Sequence, residues 1–146
     1  MEPLEEKIVQ LIRSLPIFKE GDFLNVKSFN SQISGTRVIS VYYFSQEDME
    51  YNPTDLNIKV PEEMLERVTG FRLFWSLESG IVSGYIKVHP QHRGRGKGTL
   101  MAQAMEDISR LLGLKEIKLE EPNKEFFKPE RDYKIGSDGY AYKQIK

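Results

Sequence analysis

Two segments of the chain carry apolar residues at the three- to four-residue spacing of an amphipathic helix. The first begins near Leu4 and stops at Pro16, which has no amide hydrogen to continue a helix. The second covers residues 99–112 and is followed by Gly113, a residue type that commonly ends helices. The pattern therefore predicts an N-terminal helix and a longer helix late in the chain. We expect the apolar stripe of the late helix to lie entirely in the core.

Runs of β-branched and aromatic residues, or alternation of apolar and polar residues, predict extended segments elsewhere. The predicted strands are residues 23–29, 37–44, 71–78, 81–88, 116–120, 133–135 and 140–145. Ser79-Gly80 and residues 136–139 separate two of the successive pairs, which are therefore predicted to form hairpins. The late helix between two strands suggests a right-handed crossover that makes 81–88 and 116–120 parallel. This parallel pair is predicted to have antiparallel neighbours on either side, so the fold class is α+β or mixed α/β.

The stretch between the second and third strands has a less regular pattern. Residues 46–60 are rich in Asp, Asn and Pro, which indicates a loop, with a short strand at 56–60 as the alternative. Residues 61–68 begin with proline and two acids, as the first turn of a helix often does. Gly70 is predicted to end this short helix.

Composition indicates a globular protein with a single domain, residues 1–146. Hydrophobic residues make up 39% and charged residues 29% of the chain, which suits a packed core. The net charge of -1 gives no overall attraction to nucleic acid or membranes. Without cysteine there is no disulfide framework or thiolate metal site. No apolar run approaches the roughly 18 residues that span a bilayer, and the acidic start lacks a signal peptide's basic flank. We therefore expect a cytoplasmic protein.

The segment between strand 81–88 and the late helix carries the candidate chemistry. Three glycines alternate there with three basic residues: Arg93, Gly94, Arg95, Gly96, Lys97 and Gly98. Glycines let the backbone approach a ligand closely, and a helix start offers amide hydrogens and the positive end of the helix dipole. Together with the basic side chains, these features favour a pyrophosphate. Neither a P-loop nor a dinucleotide fingerprint fits, because Gly98 follows Lys97 and no later glycine stands where the fingerprint requires it.

This glycine turn resembles the acetyl-CoA motif of the GNAT family of N-acetyltransferases. In that family Gln or Arg, two residues, Gly, one residue, and Gly or Ala follow a hydrophobic strand and a Val-x-Pro sequence. Here Val88-His89-Pro90 precedes Arg93 to Gly98. The resemblance extends from about residue 71 to 127 and includes Asn123. It implies a mostly antiparallel central sheet flanked by helices, in which the parallel strands 81–88 and 116–120 splay apart.

The resemblance also implies that acetyl-CoA is the co-substrate and lies between the splayed strands. Backbone groups of Ile86, Lys87 and Val88 would pair with its pantetheine arm. The residues that would hold the pyrophosphate are Arg93, Gly94, Arg95, Gly96, Lys97, Gly98 and Thr99. Asn123 and Phe127 would contact the arm. A neutral amine would attack the thioester directly, while a backbone amide of the first splayed strand stabilises the oxyanion.

The residues available as general acid and general base differ from the family pattern. The family often has a tyrosine about seven residues after the asparagine to protonate the leaving thiolate, but Glu130 stands there. Either Tyr133 or water would supply that proton. Glu120, Glu121 and His89 are candidates for the general base because they end the two splayed strands. We assign no metal, since His89 and His92 lack further ligands, and Tyr140 and Tyr142 are interpreted as packing residues of the terminal hairpin.

Three functions are compatible with this sequence. The leading hypothesis is an N-acetyltransferase, active as a monomer or homodimer, for a small-molecule or peptide amine. Segments 16–36 and 46–70 and the terminal hairpin are predicted to shape its acceptor site. The second is a coenzyme A-binding module of the same fold without turnover, and the third a nucleic-acid-binding protein using Lys87 and the basic residues of the glycine turn. The near-neutral net charge argues against the third.

Overall fold

The computed structural model describes residues 3–32, 35–46, 69–89, 94, 96–120 and 133–145. Among these residues the elements are α1 (Pro3–Arg13), β1 (Phe23–Asn30), β2 (Arg37–Phe44), β3 (Gly70–Ser76), β4 (Ile81–Lys87), α2 (Lys97–Leu111), β5 (Glu116–Leu119), β6 (Lys134–Ile135) and β7 (Ala141–Gln144). The predicted helices, early strands and hairpins within this part of the chain are confirmed. The predicted loop at 46–60 and helix at 61–68 lie outside it, apart from Gln46.

All the described strands form one sheet in the order β1-β2-β3-β4-β5-β7-β6. Neighbours are antiparallel except β4 and β5, which are parallel and joined through α2. The fold is therefore mixed α+β with one parallel strand pair, as the sequence predicted. Because β4 is the fourth of seven strands, the parallel pair lies in the middle of the sheet.

Both helices contribute to one apolar core with one face of the sheet. Ile8 and Ile12 of α1 and Met105 of α2 are fully buried, together with Trp75 of β3 and Val82 of β4. Side chains alternate between the two faces along a strand, so the neighbours of Trp75 and Val82 lie on the opposite face. That second face has its own aromatic cluster: Tyr42, Phe44, Phe23 and Tyr85.

A buried hydrogen-bond chain connects the sheet to α2. The indole Nε1 of Trp75 donates to Ser109 Oγ at 2.9 Å, and the Ser109 hydroxyl donates to the carbonyl oxygen of Met105 at 2.8 Å. We expect Ser109→Ala to lower the free energy of unfolding by about 1–3 kcal/mol, because the indole N–H loses its buried acceptor. Urea denaturation measures this change. Ser14→Ala, which removes an exposed hydroxyl bonded to Leu11 O, is the control; an equal loss in both variants would contradict the prediction.

One detail of the sequence prediction is wrong. Leu100 and Leu111, at the edges of the late helical stripe, are 38% and 37% exposed, so the stripe is not entirely core. The part of the helix circumference that is buried is narrower than the part that is apolar. Gly70 begins β3, whereas the helix it was predicted to end lies outside the described residues. A Cβ at Gly70 would lie 2.2 Å from the carbonyl oxygen of Tyr43, so close contact with β2 explains this glycine.

Candidate active site

The parallel strands β4 and β5 pair only over a short length. Their register contains two pairs, Ile81 with Lys118 and Val82 with Leu119. The last backbone hydrogen bond between them runs from Glu120 N to Val82 O at 2.9 Å. Pairing of β4 with β3 continues to Lys87. Beyond Val82, β4 therefore keeps its hydrogen-bonded neighbour on one side, while no described strand pairs with its other side.

Some backbone N–H and C=O groups of β4 face this opening. Successive residues of a strand direct their N–H and C=O groups to alternate sides. Since Val82 O accepts from β5, the groups of Gly84 and Ile86 face the same way. Gly84 is exposed although its strand is central. Peptide groups available within a sheet interior suit an extended ligand that replaces the missing strand.

Gly84 is a residue whose importance the sequence reading missed. Its φ is +117°, and a Cβ at this position would lie 1.9 Å from the carbonyl oxygen of Arg72. No other residue type fits without backbone movement. An isolated glycine inside a strand pattern was the available signal, since such glycines often mark a close backbone approach.

The glycine turn stands at the start of α2, just after β4. Gly94 and Gly96 have φ values of 83° and 78°, which side-chain-bearing residues rarely adopt. Gly96 is the N-cap of α2, no side chain of a described residue caps the helix, and its first turn contains no acidic residue. Within the described part of the chain, a Cβ at either glycine would meet no atom within 4 Å. The turn therefore presents open backbone beside the positive end of a helix dipole, which suits an anion.

The opening and the turn belong to one site. In sheets with parallel strands, ligands bind in crevices beyond the carboxyl ends of the strands. The glycine turn follows the carboxyl end of β4, where β5 is no longer paired with it. An extended ligand with a phosphate group at one end matches both features.

Comparison with protein families agrees with this geometry. A model of the acetyltransferase (GNAT) family matches residues 40–128, which is more than half of the chain. The chain belongs to the acetyltransferase (GNAT) family. The match runs from β2 through β5 and contains the opening, the glycine turn and α2. No curated protein matches the chain. The resemblance stated from the glycine turn is thereby confirmed, and membership in the GNAT family supports an acetyltransferase-type activity.

Several residues predicted for the GNAT cofactor site fall within the described chain. Ile86 and Val88 are half-buried and pack against the core, while Lys87 ends β4 on the opposite face. Lys97, Gly98 and Thr99 form the first turn of α2. Arg93, Arg95, Asn123 and Phe127 lie outside the described residues, as does Glu121.

A cleft lies where β4 and β5 diverge in this GNAT domain, on the face opposite the helices. Its volume is about 860 Å³. It is lined by Ser31, Thr36, Val38, Phe74, Ser76, Glu78, Ser79, Ile81, Ser83 and Glu120. Glu120 is exposed, and its amide makes the last hydrogen bond to β4. Among the predicted acid–base candidates that the structure describes, Glu120 is thus the one that borders this cleft.

Tyr133 and His89 have different surroundings. Tyr133 is 1% exposed in the core, with its ring centroid 5.3 Å from Lys143 Nζ. The Lys143 ammonium forms an ion pair of 2.6 Å with Glu106 of α2, so Tyr133 lies on the helix-covered side of the sheet. His89 is buried, and its amide donates to Thr69 Oγ1 at 3.0 Å. Neither residue lines the cleft of Glu120.

The terminal hairpin brings two tyrosines close to β5. Lys118 Nζ lies 4.5 Å and 5.6 Å from the ring centroids of Tyr140 and Tyr142, distances typical of cation–π contacts. The Tyr142 hydroxyl donates a hydrogen bond to the Asp138 carboxylate, which lowers the pKa of Asp138 and raises that of Tyr142. These contacts hold the Lys118 ammonium over the hairpin.

Tyr85 follows the point of divergence on β4 and belongs to the aromatic cluster. Burial raises the pKa of its phenol well above the usual value. The Tyr42 side chain raises that pKa further through its charge and a hydrogen bond, whereas the charge of Arg72 lowers it. Tyr85 therefore stays protonated at neutral pH and acts there as a hydrogen-bond donor, not as a base.

The described ranges contain neither a metal-binding cluster nor a membrane-spanning helix. No set of three or more His, Asp or Glu side chains within them is arranged to bind a metal ion. Neither α1 nor α2 is long and apolar enough to cross a membrane.

Proposed function

We propose that this protein binds acetyl-CoA between β4 and β5 and transfers the acetyl group to a primary amine. The observation that carries the proposal is the loss of β5 pairing after Val82, which leaves the backbone groups of Gly84 and Ile86 facing an opening. This opening leads towards the open glycine turn at the start of α2. Family membership supports the same type of reaction.

The proposed cofactor site has two parts. Backbone groups of Ile86 and Val88, on either side of Lys87, pair with the pantetheine arm, which Asn123 and Phe127 also contact; those of Lys87 face Gly70 of β3. The pyrophosphate binds to the segment formed by Arg93, Gly94, Arg95, Gly96, Lys97, Gly98 and Thr99. The empty space beside the Cα atoms of Gly94 and Gly96 suits this role, because a pyrophosphate needs direct access to backbone amides.

The proposed reaction is a direct attack of the amine nitrogen on the thioester carbonyl. The Gly84 amide, which faces the opening, is proposed to stabilise the developing oxyanion. Glu120 borders the cleft on the other face and is proposed to accept the proton that the amine loses. Tyr133 or water is proposed to protonate the leaving sulfur. Tyr133 and Glu120 lie on opposite faces of the sheet. This arrangement suits the proposed roles, in which Tyr133 acts on the leaving sulfur and Glu120 on the attacking amine.

Binding and turnover experiments test the proposal separately. Calorimetry with acetyl-CoA tests the cofactor site, and thiol release with a panel of primary amines tests the transfer. Binding without thiol release would favour a coenzyme A-binding module. Failure of the folded protein to bind acetyl-CoA would reject both functions.

Glu120→Gln tests the proposed base. We expect kcat to fall about 100-fold, the lower range for loss of a general base, with acetyl-CoA affinity unchanged. An alkylammonium has a pKa near 10.4, as in lysine, so without a base the amine must lose its proton to water. Below that pKa, kcat/KM of the variant should rise about tenfold per pH unit, more steeply than that of the parent.

Glu6→Gln is the matched control for this substitution, since Glu6 is an exposed carboxylate on α1. It should retain the parent kcat and pH profile. If Glu120→Gln keeps the parent's kcat and pH dependence, Glu120 is not the base.

A further inference from the structure

The cleft beside Glu120 is elongated and crosses the open face of the sheet. It reaches from Glu120, at the end of β5, across β4 and β3 to Val38 of β2 and Thr36 before it. Neighbouring strands are about 4.8 Å apart, so three strand spacings amount to roughly 14 Å. Ser31 and Thr36 belong to the segment 16–36, for which the sequence predicted a role in acceptor binding. We name this cleft the acceptor groove.

The walls of the acceptor groove combine apolar surface with negative charge. Val38, Phe74 and Ile81 supply the apolar part. Carboxylates stand at two separate places: Glu120 where β4 and β5 diverge, and Glu78 in the turn between β3 and β4. The lining residues within the described part of the chain include no Lys or Arg. Both carboxylates are exposed, so each attracts a cation weakly when alone.

The nearest positive side chains on this face have aromatic partners. The Arg72 guanidinium carbon lies 5.3 Å from the ring centroid of Tyr42 and 5.2 Å from that of Phe74. On the other side of the groove, Lys118 lies over Tyr140 and Tyr142. Neither cation is among the described lining residues. Counted over the described residues, the groove therefore presents negative charge to an incoming molecule.

We infer that the acceptor is a linear aliphatic amine with a second positive charge, of the diamine or polyamine class. This inference rests on the proposed acetyl transfer. One amine lies at the divergence beside Glu120, the methylene chain lies on Ile81 of β4, and the second ammonium binds at Glu78.

The chemical step changes only the first amine. Its ammonium loses a proton to Glu120, the neutral nitrogen forms a C–N bond with the acetyl carbon, and the C–S bond breaks. The nitrogen gives its second proton to water, and the sulfur takes a proton from Tyr133 or water and leaves as the coenzyme A thiol. The products are an N-acetylated amine and coenzyme A. The second ammonium keeps its charge and its contact with Glu78 throughout.

Putrescine and butylamine form a matched pair of probes, since both have four methylene or methyl carbons and differ in the second amine. At saturating acetyl-CoA, we expect kcat/KM from thiol release to be at least tenfold higher for putrescine. Glu78→Gln should remove most of this difference by lowering kcat/KM for putrescine. The control Glu6→Gln should keep the full preference. Equal kcat/KM for the two amines in the parent would overturn the inference.

A binding measurement separates this inference from the proposed function. Calorimetry with putrescine and coenzyme A requires no turnover, and we expect Glu78→Gln to weaken putrescine binding at least fivefold. Binding that depends on Glu78 without any thiol release would reject acetyl transfer but keep the groove assignment. Acetylation of another amine without putrescine binding would reject the groove assignment but keep the transfer. Absence of putrescine binding under all conditions also rejects it.

Discussion

Gly96→Val should lower the affinity for acetyl-CoA at least tenfold, which corresponds to about 1.4 kcal/mol. Gly96 is the N-cap of α2, and the space beside its Cα is open. An isopropyl group there would occupy the volume through which a pyrophosphate reaches the backbone amides, although no charge is lost. Calorimetry with acetyl-CoA measures the affinity, and circular dichroism checks that the variant is folded.

The opposite end of α2 provides a matched control. Gly113 has a φ of +80° and, like Gly96, no atom of a described residue within 4 Å of a Cβ. Gly113→Val therefore introduces comparable backbone strain, of order 1–3 kcal/mol, without reaching the glycine turn. We expect it to bind acetyl-CoA like the parent. Equal affinities of folded Gly96→Val and parent would refute a backbone cradle.

Replacing the basic residues of the glycine turn tests whether acetyl-CoA binding depends on their charge or on the shape of the backbone. In the variant with Arg93, Arg95 and Lys97 changed to Gln, acetyl-CoA binding should weaken but persist, because the backbone amides remain. A nucleic-acid phosphate patch would respond the other way, tolerating Gly96→Val and losing its affinity with the basic side chains. The two functions thus rank the same variants in opposite order.

Gly84→Ala should lower the free energy of unfolding by about 3 kcal/mol or more. Two costs combine: a side chain at a φ of +117°, and a Cβ 1.9 Å from the carbonyl oxygen of Arg72. The clashing atom belongs to the backbone of β3, so only displacement of a central strand relieves the contact. Urea denaturation measures the change, with the slope m checked for constancy.

Gly80→Ala is the control for Gly84→Ala. It lies in the turn of the same hairpin with a φ of +72°, but the nearest atom to its Cβ, Glu116 O, is 3.6 Å away. Only the backbone conformation is strained, which costs about 1–2 kcal/mol. If the two alanine variants lose the same stability, the close approach of β4 to β3 is not a significant constraint.

Local pattern was sufficient to predict most of the elements. The spacing of Ile8 and Ile12 in α1 reflects burial on one side of a helix, and the alternation around Ser79-Gly80 reflects a hairpin with one covered face. These signals are reliable because the period of a helix or strand is set by its own backbone geometry. The same holds for the glycine turn, since a glycine-rich segment before a helix favours an anion wherever it lies in a fold.

Periodicity gave no information on how far two strands stay paired. The segment 81–88 reads as a continuous strand, yet β5 pairs with only its first two residues, and this difference produces the proposed cofactor site. The exposure of Leu100 and Leu111 could not be predicted for a related reason. How much of an apolar stripe is buried depends on the width of the surface that packs against it, and the stripe itself does not encode that width. Both facts depend on elements distant in sequence.

The sequence by itself determined the class of the fold, the parallel crossover and the family, because each of these follows from short segments with their own geometry. Only the tertiary structure decided that Gly84 faces the opening, that Glu120 borders the acceptor groove and that Tyr133 lies in the core. Strand order and register bring Glu78 and Glu120 to one groove although 42 positions of the sequence separate them. Such proximity arises from the packing of the whole sheet, which no local pattern encodes.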